Sequence, residues 1–323
     1  MQTEQKADLA AGDGADAARL HAIARWRSTG RPRPWVIAGL LLLASGSATA
    51  GEGLFARTYT TDTTPVGTYE FEQVFRDRSQ RAFGQFEAID SSTEIEYGFT
   101  DKLQGSLYLN SVHIAANKSP DDDDPLGGTG FTRHGTYGQS VSAEFIYRAR
   151  SPYVDGYGLA FYVEPSYMFH DLHNGLKYDG TYELETGLLL QKDFYDDRVV
   201  LAYNLFLEVE NIRFQGEADH TSELDFNNSL GLSYRFRPNW SAGLEMRNHN
   251  EIGSFHVHEH SVYWLGPVLH YGGRKAWFTL GWLEQVYGDP NGYQDDAYVG
   301  NHLFLRSHER REISLKFGVP FGG

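Results

Sequence analysis

The sequence predicts an all-β protein, a closed antiparallel transmembrane β-barrel of about 12 strands with short periplasmic turns and longer extracellular loops. Period-two alternation is the first observation behind this, and it is clearest from Ser92 to Asn110. There Thr93, Ile95, Tyr97 and Phe99 oppose Ser92, Glu94, Glu96 and Gly98. After the turn Thr100-Asp101-Lys102, Leu103, Gly105, Leu107 and Leu109 oppose Gln104, Ser106, Tyr108 and Asn110. Second, glutamates recur on the polar face of several strands while bulky aliphatics framed by aromatics occupy the other, as on a sheet whose outside meets lipid. Third, the chain begins with an export leader, and nothing after it approaches the 18 consecutive apolar residues of a membrane helix.

The leader is read from the first fifty residues. Arg25, Arg27, Arg31 and Arg33 precede an apolar run from Trp35 to Ala44, and Ala48-Thr49-Ala50 forms an A-x-A cleavage site before Gly51. The expectation is a signal peptide with an extended n-region over 1–50, cleaved near Ala50, and an outer-membrane barrel domain over 51–323. The apolar run is too short for the roughly 20 residues of an anchoring helix. Removing the leader, whose net charge is +2, takes the formal charge from −15 to −17. A surface of that sign excludes nucleic acid as a partner. With Cys 0, the exported chain holds together without disulfides. Since only helices and closed barrels satisfy every backbone group in lipid, the membrane reading here is a barrel.

The strands follow in order after a Thr-rich stretch from Gly51 to Pro65 that has no pattern. Strand one is expected from Val66 to Phe75, two from Phe83 to Phe99, and three from Leu103 to Ile114. A long polar loop from Ala115 to Thr136 leads to strand four, where Val141, Ala143, Phe145 and Tyr147 oppose Ser140, Ser142, Glu144 and Arg148. Strand five (Tyr157 to Phe169) sets Leu159, Phe161 and Val163 against Tyr162, Glu164 and Ser166. Strands six (Tyr178 to Lys192) and seven (Arg198 to Phe214) flank Asp193 to Asp197. In strand eight Leu224, Phe226, Leu230, Leu232, Tyr234 and Phe236 oppose Glu223, Asp225, Asn227, Ser229, Ser233 and Arg235. Strand nine starts at Trp240 after the turn Arg237-Pro238-Asn239. Strands ten (His258 to Tyr271) and eleven (Ala276 to Tyr287) leave their lipid-facing side open, because Trp264, Trp277 and Trp282 do not share one parity. The last strand is expected from Leu303 to Val319.

Connections after even strands are short and those after odd strands are longer and richer in Asp, His, Asn and Gly, with both termini on the short side, as in outer-membrane barrels. A periplasmic sandwich or lipocalin-like barrel would show the same alternation with its large apolar residues inside. Aromatics near strand ends, such as Tyr97, Phe99, Tyr147, Phe236 and Trp240, favour the membrane version.

Four segments carry a family resemblance: GEGLFARTYTTDTTPVGTYEFEQVF (Gly51 to Phe75), EIEYGFTDKLQGSLYLN (Glu94 to Asn110), GLAFYVEPSY (Gly158 to Tyr167) and WLGPVLHY (Trp264 to Tyr271). They resemble an uncharacterised family of bacterial outer-membrane β-barrel proteins. More loosely, the chain is similar to transporter-like barrels associated with phenol degradation. The resemblance implies the fold and carries over no substrate or site residue. Many barrels end on an aromatic read by the barrel-assembly machinery; here Phe321 is followed by Gly322 and Gly323, which leaves Phe317 or Phe321 as the signal.

Candidate chemistry lies mainly in a recurring Glu-apolar-Glu: Glu70 and Glu72, Glu94 and Glu96, Glu183 and Glu185, Glu208 and Glu210. Each pair shares one face, and hairpin register should bring Glu183 near Glu208. With Glu144 and Glu164 they are candidates to line the lumen. Arg148, Arg235, Arg247, Arg310 and Lys316 have the parity to point inward and bridge them. The plain alternative is a salt-bridged interior that fills a narrow barrel.

His249 precedes His256, His258 and His260, and the last three are candidate metal ligands. Neighbours two apart lie roughly 7 Å from each other, whereas His256 and His260 are about 13 Å apart, so a site would need a further loop ligand. Asp121 to Asp124 form an acidic loop suited to divalent cations at the lipopolysaccharide surface. His220-Thr221-Ser222 is an isolated His-x-Ser, and no nucleophile elbow, P-loop, H-E-x-x-H or dinucleotide fingerprint occurs; no enzyme activity and no cofactor are expected. The expected function is passive passage of small solutes through an acidic lumen. The alternative is a non-conducting structural or surface-interaction barrel with cation-binding loops. Expected partners are outer-membrane lipid, lipopolysaccharide, the assembly machinery, small solutes and divalent cations.

Overall fold

Alternation along the chain resolves into one closed sheet. The structure, a computed structural model, describes residues 52–120, 130–170, 173, 178–214, 220–291 and 302–322. The expected signal peptide and the run Asp121 to Asp124 lie outside them. Twelve antiparallel strands follow chain order: β1 (Tyr69–Ser79), β2 (Gln85–Thr100), β3 (Leu103–Ser119), β4 (Phe131–Arg150), β5 (Gly158–Met168), β6 (Tyr178–Phe194), β7 (Val199–Phe214), β8 (Thr221–Arg237), β9 (Trp240–Gly253), β10 (Val257–Gly272), β11 (Trp277–Asp289) and β12 (Arg311–Phe321). The seam closes where β12 pairs with β1, with Tyr69 opposite Phe321. Among the described residues no helix is long and apolar enough to cross a membrane.

Outward side chains are those of a lipid-facing wall. Leu107 is 68% exposed, Leu244 54% and Leu184 46%, values that only an apolar surrounding makes favourable for a belt of such residues on successive strands. At the end of the short turns an aromatic girdle packs ring on ring: Tyr69 stacks on Phe321 and tilts against Tyr97, and Tyr271 stacks on Phe278 beside Trp240. A second set, Tyr167 with Tyr182 and Tyr263 with Tyr287, sits toward the other end.

Several expectations are corrected. The long loop from Ala115 to Thr136 is shorter, because β3 runs on to Ser119 and β4 begins at Phe131. In the extensions Ala116 and Phe131 join Phe86, Ala88, Val112 and Ile114 in one buried apolar cluster. The connection after β4 holds a short helix, α1 (Pro152–Asp155): proline opens it, the Asp155 carboxylate accepts the Ser151 N–H at 2.9 Å, and left-handed Gly156 ends it. The last strand starts at Arg311, not Leu303. Residues 302–310 instead fold against the inner face of β10 and β11, where the Phe304 N–H donates to Gln285 at 2.7 Å and Trp264 donates to the Glu309 carbonyl at 3.1 Å. This accounts for the tryptophans of mixed parity. Trp264 and Trp277 are buried inside, Trp264 beneath that folded segment, while Trp282 faces out.

Glycines on the inner wall make room for a second element, the stretch ahead of β1. A β-carbon at Gly231 would come within 2.6 Å of the Phe55 ring, and one at Gly281 within 2.5 Å of the Ala56 side chain. Replacing Gly231 with Leu should therefore unseat residues 54–58 while leaving the sheet intact. Hydrogen exchange of the Ala56 to Thr58 amides should rise with an unchanged heat-shifted mobility on gels; unchanged exchange would refute the notch.

Candidate functional site

The stretch before β1 is the element that sequence patterning missed. It has neither period two nor period 3.6, because its backbone bonds go to side chains of the barrel wall rather than to a neighbouring strand. From Gly53 to Gly67 it meets every strand from β2 to β12. The Gly53 carbonyl faces His270 on β10 and Thr279 on β11, and Phe55 enters the Gly231 notch on β8. The fully buried Glu245 carboxylate on β9 accepts three successive backbone N–H groups, from Ala56 at 3.0 Å, Arg57 at 2.8 Å and Thr58 at 2.5 Å. Arg57 forks onto Glu312 of β12. The Tyr59 N–H donates to Asn204 on β7 at 2.6 Å, its ring packs against Tyr162 on β5, and its hydroxyl donates to Glu144 on β4 at 3.1 Å. Thr61 donates to Gln191 on β6, Thr64 to Gln104 on β3, and Gly67 to the Gly98 carbonyl on β2.

Beyond this segment the lumen holds two cavities of about 380 and 390 Å³, both bounded by Arg57, Arg76, Ser92, Glu208 and Arg247. Their walls carry opposite charge. On one side Glu312 sits among three guanidinium groups, with Arg76 at 3.4 Å and Arg247 at 3.2 Å in addition to Arg57. Nearby Arg78 pairs with Asp90 at 2.9 Å and Lys316 with Glu72 at 3.0 Å. On the other side stand Glu164, Glu183, Glu185, Glu208, Glu210 and Asp225. The β6–β7 register sets Glu183 opposite Glu210 and Glu185 opposite Glu208, and carboxylate oxygens of Glu183, Glu208 and Glu210 come within 4.8 Å of one another.

The sequence-derived candidates sort by height and neighbours. Hydroxyl and amide donors serve many of the inward glutamates: Tyr162 and Ser142 donate to Glu164, Ser166 to Glu183, Tyr108 to Glu144 at 3.1 Å, and Gln104 to Glu96 at 2.9 Å. Glu94 shares the inner face of β2 with Glu96 and borders the smaller cavity. Glu70 accepts from Trp277 at 2.7 Å near the short-turn end. Arg148 and Arg235 also lie at that end, held by the Asp101 carbonyl and by Asp197. Arg310 is a correction. It is exposed and pairs with Glu284, which faces outward on β11, since the chain reaches it from the inward-folded segment and turns out at the rim.

The histidine expectation is also corrected. His256 is exposed at a turn and contacts the Ser254 carbonyl, and His258 is exposed beside Ser261. A bulge in the β9–β10 pairing between His258 and His260 separates them, and buried His260 meets His249 and His308 instead. Ser222 has Asn211 as its side-chain donor at 3.4 Å, and His220 is exposed.

Two outcomes follow. Changing Glu245 to Ala removes the acceptor of three amides and should lower the opening free energy of residues 56–58 by about 3 kcal/mol, read as faster amide exchange. Asp62, buried beside the Tyr153 hydroxyl at 3.2 Å, has its pKa pushed up by burial from 3.8 to about 6. A raised carboxyl favours the folded state in its protonated form. Its contribution to seating is full below about pH 4 and lost as pH rises through about 6. Protection of the amides around Thr60 to Thr63, taken relative to the intrinsic exchange rate at each pH, should fall on the order of 100-fold across that window, and Asp62→Asn should make it independent of pH.

Comparison with solved structures returns bacterial outer-membrane barrels. An outer-membrane channel from Pseudomonas putida F1 is similar at 9% identity over 81% of this chain and 98% of that chain, with a TM-score of 0.50. The NanC porin is similar at 9% identity (79% and 100% covered, TM-score 0.45). The monoaromatic hydrocarbon channel TodX of Pseudomonas putida, in a deltaS2 mutant, is similar at 8% identity (86% and 97% covered, TM-score 0.43). The first likeness is one of fold, the closed antiparallel barrel. No curated protein matches the sequence. The chain belongs to DUF6662, a family of unknown function, whose match spans residues 47–321 and so takes in every strand of the barrel.

Proposed function

We propose that the barrel is an outer-membrane route for small polar solutes, above all those carrying both charge signs, and that residues 53–67 form its narrowest passage. The observation that carries this reading is the division of the lumen. Arg57, Arg76 and Arg247 face Glu164, Glu185 and Glu208 across the cavity of about 380 Å³. Opposed charged walls set up a transverse field that orients a dipolar solute, and hydroxyl-capped carboxylates replace part of its hydration. The expected acidic lumen is thus one wall of two. The barrel shared with an outer-membrane channel fits this role, and the lipid-facing belt, with the leader expected from the sequence, fits an outer-membrane location.

A second reading is favoured by the stretch ahead of β1, whose bonds and packing contacts with every strand from β2 to β12 fill the short-turn end. It makes the protein a non-conducting surface barrel. Planar-bilayer recording separates the two. The transport reading expects discrete conductance from the purified protein, a larger conductance in Gly231→Leu, and a reversal potential shifted away from cations in Glu183→Gln with Glu208→Gln. Silence of both wild type and Gly231→Leu, together with no flux of a zwitterionic amino acid in liposome swelling, would sink transport and leave the surface barrel.

A further inference from the structure

Near the extracellular ends of β9 and β10, three imidazoles that are far apart in sequence converge. His249 and His260 are buried on the inner wall, and His308 reaches them from the inward-folded segment of residues 302–310. Donor atoms of the three lie within 4.8 Å of one another. The Nε2 atoms of His260 and His308 are 2.6 Å apart. A carboxylate oxygen of Glu251 lies 3.6 Å from His260 Nε2 and 3.9 Å from His249 Nε2. From these contacts we propose that His249, His260, His308 and Glu251 form a binding site for a borderline divalent transition metal of the Zn²⁺ class, which clasps the 302–310 segment to the barrel wall.

The donor set fits that class. Three imidazole nitrogens and one carboxylate oxygen suit Zn²⁺, Co²⁺, Ni²⁺ or Cu²⁺, and not Ca²⁺ or Mg²⁺, which take oxygen. Four ligands at about 2.0–2.2 Å from a tetrahedral ion stand roughly 3.3 Å from each other. The two separations to Glu251 are close to this, and His308 must withdraw from His260 by about 0.7 Å, a small adjustment for a side chain carried on a connection rather than on a strand. Two imidazole nitrogens at 2.6 Å cannot both carry protons, so they share a single proton, which a metal would replace as the rings move apart. The outer contacts orient the ring in the manner of a ligand: His249 Nδ1 faces the Asn227 side-chain oxygen at 2.8 Å, which leaves Nε2 toward the cluster. Asp225 lies 3.5 Å from the same Nδ1 and adds negative charge on that side.

Arg247, the nearest cation, is answered by its own partners. It lies over the Trp264 ring at 4.5 Å and pairs with Glu312 at 3.2 Å and Glu309 at 3.8 Å. Access is through the lumen, since His249 borders the cavity of about 380 Å³. The clasp would act on a segment already tied elsewhere to the rim, where the Ala82 N–H donates to the Leu305 carbonyl and the Arg310 N–H to the Gln80 carbonyl, both at 2.8 Å. A metal would therefore stiffen the inward fold of residues 302–310 whether or not the barrel conducts.

The test uses the mature chain folded in detergent. Co²⁺ is titrated while its visible absorption is followed, and bound Co²⁺ is then displaced with Zn²⁺. One equivalent should bind with the intense bands of a four-coordinate ion and be displaced by Zn²⁺. His308→Ala and His249→Ala should each weaken binding by about 10–100-fold or more. His256→Ala with His258→Ala should bind as the wild type does. Protease cleavage within residues 302–310 should slow when Zn²⁺ is present and be indifferent to it in His308→Ala. Heat-shifted gel mobility checks that each barrel is closed, and His308→Ala, lying outside the strands, keeps the test valid if a strand variant misfolds. Absence of stoichiometric Co²⁺ binding, binding unchanged in His308→Ala, or binding lost in the His256, His258 double variant would each overturn the proposal.

Discussion

Three backbone amides pointing at one carboxylate hold the interior together. Glu245 is fully buried, and its two oxygens accept from Ala56, Arg57 and Thr58 in succession. Consecutive N–H groups converging on one anion form a local positive concavity, so the buried charge is met by oriented dipoles as well as by any distant cation. This fixes the height and direction of the whole stretch. With residues 56–58 pinned, Phe55 falls into the Gly231 notch on one side, Arg57 reaches Glu312 on another, and Tyr59 is carried forward to Asn204 and Glu144.

Arg57 in turn shapes the electrostatics. The strands alone supply Arg76, Arg78, Arg247 and Lys316 on an arc that faces the glutamates of β5 to β7. The inserted segment adds a third guanidinium beside Glu312, so positive charge gathers at the centre of the lumen rather than only at its wall. Across the cavity, serine and tyrosine hydroxyls donate to Glu164 and a serine hydroxyl to Glu183.

Much of the barrel was legible because period two acts locally: the parity that puts Leu107 outside and Ser106 inside can be read from a handful of residues. Turn chemistry at Thr100 to Lys102 and Arg237 to Asn239 set strand ends to within a few residues. What escaped is whatever gets its partners from far away. Residues 53–67 carry no periodic signal because their partners are spread over eleven different strands. Residues 303–310 alternate like a strand but spend their bonds on Gln285 and Trp264, and Trp264 was unreadable because an inner cover, not lipid, buries it. The histidines show the same limit. His256, His258 and His260 are neighbours in sequence, yet a bulge and a distant connection pair His260 with His249 and His308. One cue was available: a Thr-rich stretch directly ahead of the first strand, rich in small polar side chains that can lie against a wall.

The reach of the segment before β1 also orders events in time. Its bonds to Glu245 and Glu312 span 187 to 255 residues of sequence, so its seat exists only once strands at both ends of the chain are in register. Loop closure over such distances gains nothing until the sheet is built. The barrel must therefore curl shut around an empty, wet interior, and the segment settles last. Each newly made molecule passes through an unobstructed form on its way to the native one, and the free energy of that final settling sets how often it returns.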